Sequence, residues 1–265
     1  MDKGLAALNH PFIRSVLFHP RLQQGVPPPG ARDLLFAAAD GVKLGARLFA
    51  ADKKDPFLLY FHGNGEIAED YDDVGPLYRK LGVSLCVVDF RGYGASEGEP
   101  TAASMLEDAL AVLLETLRLR EREGFTGPLA VMGRSLGSAS ALEIARRKPD
   151  AVSGLILESA FSRTAPLINL LTGGGVGLSD DPEDDPVGNL RKIRSVTIPT
   201  LVIHAEYDHI IPLPQGEELF EESGAPDKSF FLVKNANHND IFFRDLPGYL
   251  SAVVGFVRRL PRDTD

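Results

Sequence analysis

The sequence contains one cysteine and no tryptophan, and it has fewer basic than acidic side chains. With Cys86 alone, no intramolecular disulfide can form. Because Cys86 lies in an apolar run, we expect a buried structural thiol rather than a reactive one. The formal net charge of −9 argues against the basic surface that nucleic-acid binding requires, and it provides no attraction to anionic membranes.

Long apolar stretches are also missing. No run reaches the ~20 residues that a membrane-spanning helix needs, and the N-terminus has neither a long apolar core nor a clear signal-cleavage site. We therefore expect a cytoplasmic protein without an integral membrane segment. The sequence lacks an H-E-x-x-H pattern, a cysteine cluster and a phosphate-binding loop. No metal and no organic cofactor are predicted.

The length of 265 residues, 44% of them hydrophobic, is ample for a buried core. Residues 1–30 predict an irregular arm that lies on the domain, and residues 31–265 predict a single domain. Its one long connection, at about 161–196, contains a glycine-rich stretch and the acidic run 180–185. A connection of this length is usually functional or disordered, and we interpret it as a short lid.

The periodicity of the chain begins with two strands, at 33–38 and 42–49, joined by the turn pair Asp40-Gly41. Strands and helices then alternate to the end. Further strands are predicted at 57–61, 83–88, 128–132, 152–157, 200–204 and 229–233, and helices at 66–81, 101–121, 135–147, 214–223 and beyond 249. Ser104 and Glu107 form a capping-box pattern in the second of these helices. The alternation predicts a mostly parallel sheet with helices on both faces, and an active site beyond the carboxyl ends of its strands.

A candidate nucleophile lies in the motif Gly133-Arg-Ser-Leu-Gly137, between a predicted strand and a predicted helix. A sharp turn in this context projects the serine hydroxyl above the sheet, and the flanking glycines avoid collisions with neighbouring backbone. We therefore predict that Ser135 is the nucleophile. The amide of Leu136 then lies at a helix N-terminus, where it stabilises a developing oxyanion.

A serine hydroxyl needs a base, and the chain offers six histidines. They are His10, His19, His62, His204, His209 and His238. Only His238 lies in the loop between the last predicted strand and the last helix, which opens on the same sheet edge as the predicted nucleophile. His238 is therefore the predicted base. His62 is interpreted as a structural residue that supports its own loop.

The acid that orients the base is sought beyond the strand at 200–204. Glu206 and Asp208 both follow that strand, and Asp208 is better placed because it lies further out, before an apolar turn and a proline. Asp208 is the predicted acid, and Glu206 remains the alternative. For the oxyanion hole, the segment His62-Gly-Asn-Gly65 predicts the backbone amide of Asn64 as a second donor beside that of Leu136.

These motifs resemble those of the α/β-hydrolase superfamily, over residues from about Arg32 to the end. The segments that carry the resemblance are His62-Gly-Asn-Gly65, Asp89-Phe-Arg-Gly-Tyr-Gly-Ala-Ser96, Gly133-Arg-Ser-Leu-Gly137, His204-Ala-Glu-Tyr-Asp208 and Asn237-His-Asn-Asp240. The residues within these motifs are similar to those of the serine-peptidase-related, Bem46-like and depalmitoylase-like branches of the superfamily. The resemblance implies an eight-stranded α/β-hydrolase fold and a catalytic triad of Ser135, Asp208 and His238. It also implies that Arg91 is a scaffold residue.

The predicted activity is hydrolysis of a small-molecule carboxylic ester or thioester through an acyl-enzyme. One alternative is a peptidase that acts on short peptides and uses the acidic run 180–185 to hold an amino terminus, although a solvated loop is the preferred explanation of that run. A second alternative is a non-catalytic ligand-binding protein that retains the fold. Substrate, acyl length and oligomeric state stay open, because one fold hosts many activities.

Overall fold

The computed structural model describes residues 3–174 and 178–261. Within these residues, eight strands form one sheet in the order β1-β2-β4-β3-β5-β6-β7-β8. The strands are β1 (Ala31–Ala37), β2 (Lys43–Phe49), β3 (Phe57–Phe61), β4 (Ser84–Val88), β5 (Leu129–Arg134), β6 (Gly154–Glu158), β7 (Thr200–Ala205) and β8 (Lys228–Val233). β2 runs antiparallel to both of its neighbours, and the remaining pairs are parallel. The predicted α/β-hydrolase fold is confirmed.

Helices cover both faces of the sheet. They are α1 (Lys3–Ala7), α2 (Pro11–Leu17), α3 (Gly75–Lys80), α4 (Ala102–Glu123), α5 (Ser138–Arg147), α6 (Thr164–Thr172), α7 (Asn189–Arg194), α8 (Leu213–Glu222), α9 (Ile241–Arg244) and α10 (Leu246–Arg259). Adjacent residues of β3 point to opposite faces, so Leu59 packs with α4 and α5 while Leu58 packs with α3 and α10. None of the helices in the described residues is long and apolar enough to cross a bilayer.

Two local expectations differ from the structure. The segment at 66–81, predicted to be helical with an interruption at Gly75-Pro76, is a 3₁₀ turn at 68–71 followed by α3, because Gly75-Pro76 starts a new helix. The cap of α4 is formed by Thr101 rather than by Ser104 with Glu107. Thr101 Oγ1 accepts the amide hydrogen of Ser104 at 2.9 Å, and Ser104 Oγ accepts that of Thr101 at 3.0 Å.

The N-terminal arm is more regular and more deeply packed than predicted. Residues 3–17 contain α1 and α2, so the expectation of an irregular arm is wrong there. Ile13 and Leu17 are buried in the core, and Leu22 forms a bridge with Gly94. Met1 and Asp2, the start of the predicted arm, lie outside the described residues. The arm therefore contributes side chains to the hydrophobic core of the domain.

The connection predicted as a lid contains α6 and α7, and its residues 175–177 lie outside the described residues. One member of its acidic run is buried. Asp185 accepts hydrogen bonds from the hydroxyl of Thr164 at 2.8 Å and from the amide of Val187 at 3.0 Å. Asp185 thereby fixes the start of α6, so the acidic run is not uniformly solvated.

Candidate active site

The turn after β5 has the geometry of a nucleophile elbow. Ser135 has a positive φ of 50°, a left-handed conformation that is strained for a residue with a side chain. A Cβ atom on Gly133 would lie 2.3 Å from the Gly137 carbonyl oxygen, and one on Gly137 would lie 2.2 Å from that of Phe61. Because only glycine fits at both positions, the two glycines of the motif permit this turn.

The three side chains predicted as a triad lie in contact. His238 Nε2 is 3.1 Å from Ser135 Oγ, and His238 Nδ1 is 3.0 and 2.8 Å from the two carboxylate oxygens of Asp208. All three residues are buried. In this arrangement an imidazole is positioned to remove the hydroxyl proton, and a carboxylate holds the ring in the required tautomer and orientation.

The Asp208 carboxylate is stabilised in its charged form. Burial raises its pKa, but the hydrogen bond and charge of His238 and the amide of Ile211 outweigh burial, so the net pKa lies below its ordinary value. The Ile211 amide donates to Asp208 Oδ1 at 2.8 Å. His204 Nε2 lies 2.8 Å from the Ile211 carbonyl oxygen and therefore contacts the same turn. The alternative acid, Glu206, instead accepts the amide hydrogen of Asn235 at 2.8 Å.

The lowered pKa of Asp208 predicts a pH-dependent contribution to stability. We expect Asp208→Asn to reduce the free energy of unfolding at pH 7 by about 1.5–3 kcal/mol, because hydrogen bonds to a charged group are lost. A lowered folded-state pKa means that the contribution is full above the ordinary value of 3.8 and disappears as pH falls through the folded-state value. Urea unfolding between pH 7 and pH 3 checks this. The exposed Asp180→Asn variant is the control, and a difference for Asp208→Asn that does not change with pH contradicts the prediction.

The segment predicted to form the oxyanion hole lies beside Ser135. Asn64 and Leu136 line the same cavity as Ser135. The side-chain oxygen of Asn64 accepts hydrogen bonds from the His19 amide at 2.9 Å and the Tyr93 hydroxyl at 2.7 Å. The arm therefore fixes the conformation of this loop.

His62, interpreted above as structural, is buried at the start of that loop. Its Nδ1 lies 2.8 Å from the Gly63 carbonyl oxygen, and its Nε2 lies 3.4 Å from Asp89 Oδ1. The ring packs edge-on against Phe90. These contacts connect the end of β3 to the segment after β4, as expected for a supporting residue.

The cavity at Ser135 has a volume of about 240 Å³ and is mostly apolar on one side. Leu17 comes from the arm, Leu167 and Leu171 from α6, and Ile210 from the turn after β7. The arm and the predicted lid thus form the wall that faces Ser135. Among residues 3–174 and 178–261, no group of three or more His, Cys, Asp or Glu side chains is arranged to hold a metal ion.

Comparisons with known proteins identify the family of this chain. The family model described as serine aminopeptidase, S33, matches residues 52–174. Protein bem46 of Schizosaccharomyces pombe is 30% identical over 209 residues, which are 76% of this chain and 67% of the relative. The chain belongs to the α/β-hydrolase superfamily. The human alpha/beta hydrolase domain-containing protein 17B is 31% identical over 209 residues, covering 76% of this chain and 65% of its own.

A solved structure shows the same fold for this α/β hydrolase. An esterase of Pyrococcus furiosus, Pf2001, superimposes with a TM-score of 0.73 over 92% of this chain and 97% of its own, at 18% sequence identity. The family and the fold together support hydrolase activity.

The α/β hydrolase also contains a charged cluster that sequence reasoning missed, formed by the buried Arg134 and Glu158 and the partly buried Glu66. Arg134 Nη2 donates to the His238 carbonyl oxygen at 2.6 Å, its Nε donates to Glu158 at 3.1 Å, and its Nη1 pairs with Glu66. Glu66 also accepts the Gly63 amide hydrogen at 2.8 Å. One guanidinium therefore connects the nucleophile elbow, the histidine loop and the loop that contains Asn64.

The two carboxyl groups of this cluster differ in protonation tendency. Burial raises the pKa of Glu66, but the charge of Arg134 outweighs it and the net pKa lies below its ordinary value. At Glu158 burial dominates, so its pKa is raised although Arg134 lowers it in part. The Tyr249 hydroxyl donates to Glu158 at 2.6 Å. In the sequence, the available signal was a carboxylate at the end of an apolar strand and an arginine inside the serine motif.

Proposed function

We propose that this α/β hydrolase cleaves carboxylic esters or thioesters, with Ser135 as the nucleophile. The observation that carries the proposal is the unbroken series of contacts from Ser135 Oγ through the His238 ring to Asp208. A serine with a positive φ directly after β5 supports it, because a strained elbow projects the hydroxyl toward the cavity that Ser135 lines.

The proposed reaction has two halves. His238 Nε2 removes the proton of Ser135 as the serine oxygen attacks the acyl carbonyl carbon, and the resulting oxyanion binds to the amides of Asn64 and Leu136. His238 then donates the proton to the departing alcohol or thiol, which leaves an acyl-enzyme. A water molecule, activated by the same imidazole, hydrolyses the acyl-enzyme and regenerates the serine. Asp208 stabilises the protonated imidazole in both halves.

The chemistry of the cavity wall favours an uncharged acyl group. Leu17, Leu167 and Leu171 contribute aliphatic surface, which gains free energy when it is covered by an apolar chain. A charged acyl group would lose its hydration there without finding a partner on that wall. The acidic run 180–185 does not contribute to the described lining, so the observation that would favour a peptidase is missing from this part of the site.

Burst kinetics test the proposed function. With p-nitrophenyl esters of increasing acyl length, we expect a burst of one p-nitrophenol per enzyme, followed by slower turnover, because deacylation follows a fast acylation. An acyl thioester of the preferred chain length then distinguishes thioesterase from esterase activity. A fluorophosphonate probe should label Ser135 and prevent the burst. A protein that neither hydrolyses these substrates nor reacts with the probe would instead be a non-catalytic member of the superfamily.

A further inference from the structure

A second cavity of about 340 Å³ lies beside the catalytic one and has no part in the mechanism above. Glu66, Arg134 and Asn239 line both cavities, so the two are neighbours that share a boundary. The second cavity lies between the segment that follows the Asn64 loop and the segment that follows His238, because residues of 70–78 and of 239–249 form its walls.

The walls of this second cavity are apolar and largely aromatic. Phe242 and Tyr249 pack with ring centroids 4.7 Å apart, and Tyr60 and Tyr71 with centroids 4.9 Å apart. Aliphatic surface completes the lining, from Val74, Leu77, Leu85, Ile241 and Leu246. Such walls favour an apolar occupant that contains a ring, since aromatic pairs gain from edge-to-face and offset contacts.

The innermost polar groups of the lining are already paired with one another. The Tyr249 hydroxyl donates to Glu158, and the Tyr71 hydroxyl donates to Glu66 at 2.8 Å. Arg134 pairs with both carboxylates. An anionic occupant would therefore find no uncommitted cation among these groups, and the exposed acid Asp73 would repel it. The cavity suits an uncharged ligand.

The position that the leaving group must take during the reaction indicates which part of a substrate reaches this cavity. The departing oxygen or sulfur must lie within hydrogen-bond reach of His238 Nε2, which protonates it. Asn239, the next residue, lines both cavities, whereas Ser135 and His238, like Leu17, Leu167 and Leu171, line only the catalytic one. A leaving group that extends past Asn239 would enter the second cavity, while an acyl group covered by the three leucines lies on the side of the arm and α6.

We propose that the second cavity is the leaving-group subsite and that it binds the uncharged, ring-containing alcohol or thiol part of the substrate. This inference rests on the function proposed above and specifies its substrate class. Esters of aryl-methyl alcohols are therefore better substrates than methyl esters of the same acid, and thioesters with a phosphate-bearing thiol are poor ones.

Paired esters with one acyl group test the subsite. Methyl and 2-naphthylmethyl butyrate give the same acyl-enzyme, so only acylation, measured by kcat/KM, depends on the leaving group. We expect the naphthylmethyl ester to be favoured by about 10–200-fold, the range for filling an apolar pocket. Val74→Phe and Leu246→Trp, which fill the cavity from opposite walls, should lower this ratio at least tenfold. Free 2-naphthylmethanol should inhibit the wild type competitively and inhibit the variants more weakly.

Leu171→Phe is the matched control, because it changes the acyl wall. It should alter the dependence on acyl length and leave the leaving-group ratio at its wild-type value. A wild-type ratio near one, or a ratio in both cavity-filling variants that equals the wild-type ratio, overturns the subsite while ester hydrolysis still stands. Absence of hydrolysis of both esters overturns the proposed function and the subsite together. Equal deacylation rates for the two esters in single turnovers support the assignment of the difference to acylation.

Discussion

Replacing Ser135 by alanine is expected to lower kcat for ester hydrolysis by about 10⁵–10⁶-fold, the scale seen when a nucleophilic serine is removed. The hydroxyl is the group that forms the acyl-enzyme, and His238 Nε2 lies 3.1 Å from its oxygen. The residual rate should show no burst, because no covalent intermediate accumulates. Stopped-flow release of p-nitrophenol measures both quantities.

A neighbouring serine provides the control for this result. Ser140 is buried on α5 and its hydroxyl contacts the Met105 carbonyl oxygen at 3.3 Å, on the side of α4. Ser140→Ala should therefore keep its burst and most of its turnover. Both variants should unfold near the wild-type temperature, so that lost activity cannot be attributed to unfolding. A Ser135→Ala enzyme that retains more than about a hundredth of the wild-type kcat contradicts the assignment of the nucleophile.

The same assignment predicts that losses at Ser135 and His238 are not additive. The two side chains act in one proton transfer, so once one of them has been removed, loss of the other lowers kcat little further. We expect Ser135→Ala, His238→Ala and the double variant to have similar kcat values. A double variant that is slower than either single variant by the product of the two losses would mean that the residues act independently.

Much of the fold and of the candidate site could be predicted from the sequence because the signals are local. Buried parallel strands such as β3 and β5 appear as short apolar runs, and the residues just beyond their carboxyl ends share one edge of the sheet. The glycines of the serine motif are required by backbone contacts within a few ångströms. Ser135, Asp208 and His238 were found in this way, and the structure brings them into contact.

The features that sequence reasoning missed depend on contacts between distant segments. No periodicity indicates that Leu17, in the arm, lies in the same cavity as Leu171 of α6. Likewise, Arg134 occupies the variable position of the serine motif, and its partners Glu66 and His238 are 68 and 104 residues away. Such pairings follow from the packing of the whole domain, and propensity or spacing does not specify them.

Removal of the Arg134 guanidinium is expected to cost both stability and rate. We expect Arg134→Met to lower the free energy of unfolding by about 3–5 kcal/mol at pH 7, because it leaves the buried Glu158 and the partly buried Glu66 without their counter-ion. It should also lower kcat more than it raises KM, since the His238 carbonyl oxygen loses its 2.6 Å donor and the imidazole is held less firmly. Urea unfolding and steady-state kinetics with one ester measure the two effects.

Two further variants distinguish a role of Arg134 in positioning His238 from a role in stabilising the fold. Arg134→Met combined with Glu158→Gln removes one of the two carboxylates that lack a counter-ion, so the combined variant should recover part of the lost stability without recovering kcat. Arg134→Lys retains a charge but not the planar fork that contacts three groups, and it should therefore be closer to the wild type in stability than in kcat. If kcat recovered in parallel with stability in the combined variant, Arg134 would be supporting the fold alone.

The pH dependence of the Arg134→Met penalty has a definite sign. Burial already raises the pKa of Glu158, and Arg134 is the charge that lowers it in part, so removal of Arg134 raises that pKa further. A group with a raised folded-state pKa binds its proton more tightly in the folded protein, which favours folding at low pH and disfavours it as pH rises through that pKa. The stability difference between wild type and Arg134→Met should therefore be larger at pH 8 than at pH 5. A difference that is independent of pH, or below about 1 kcal/mol, would mean that Glu158 does not depend on Arg134 for its charge.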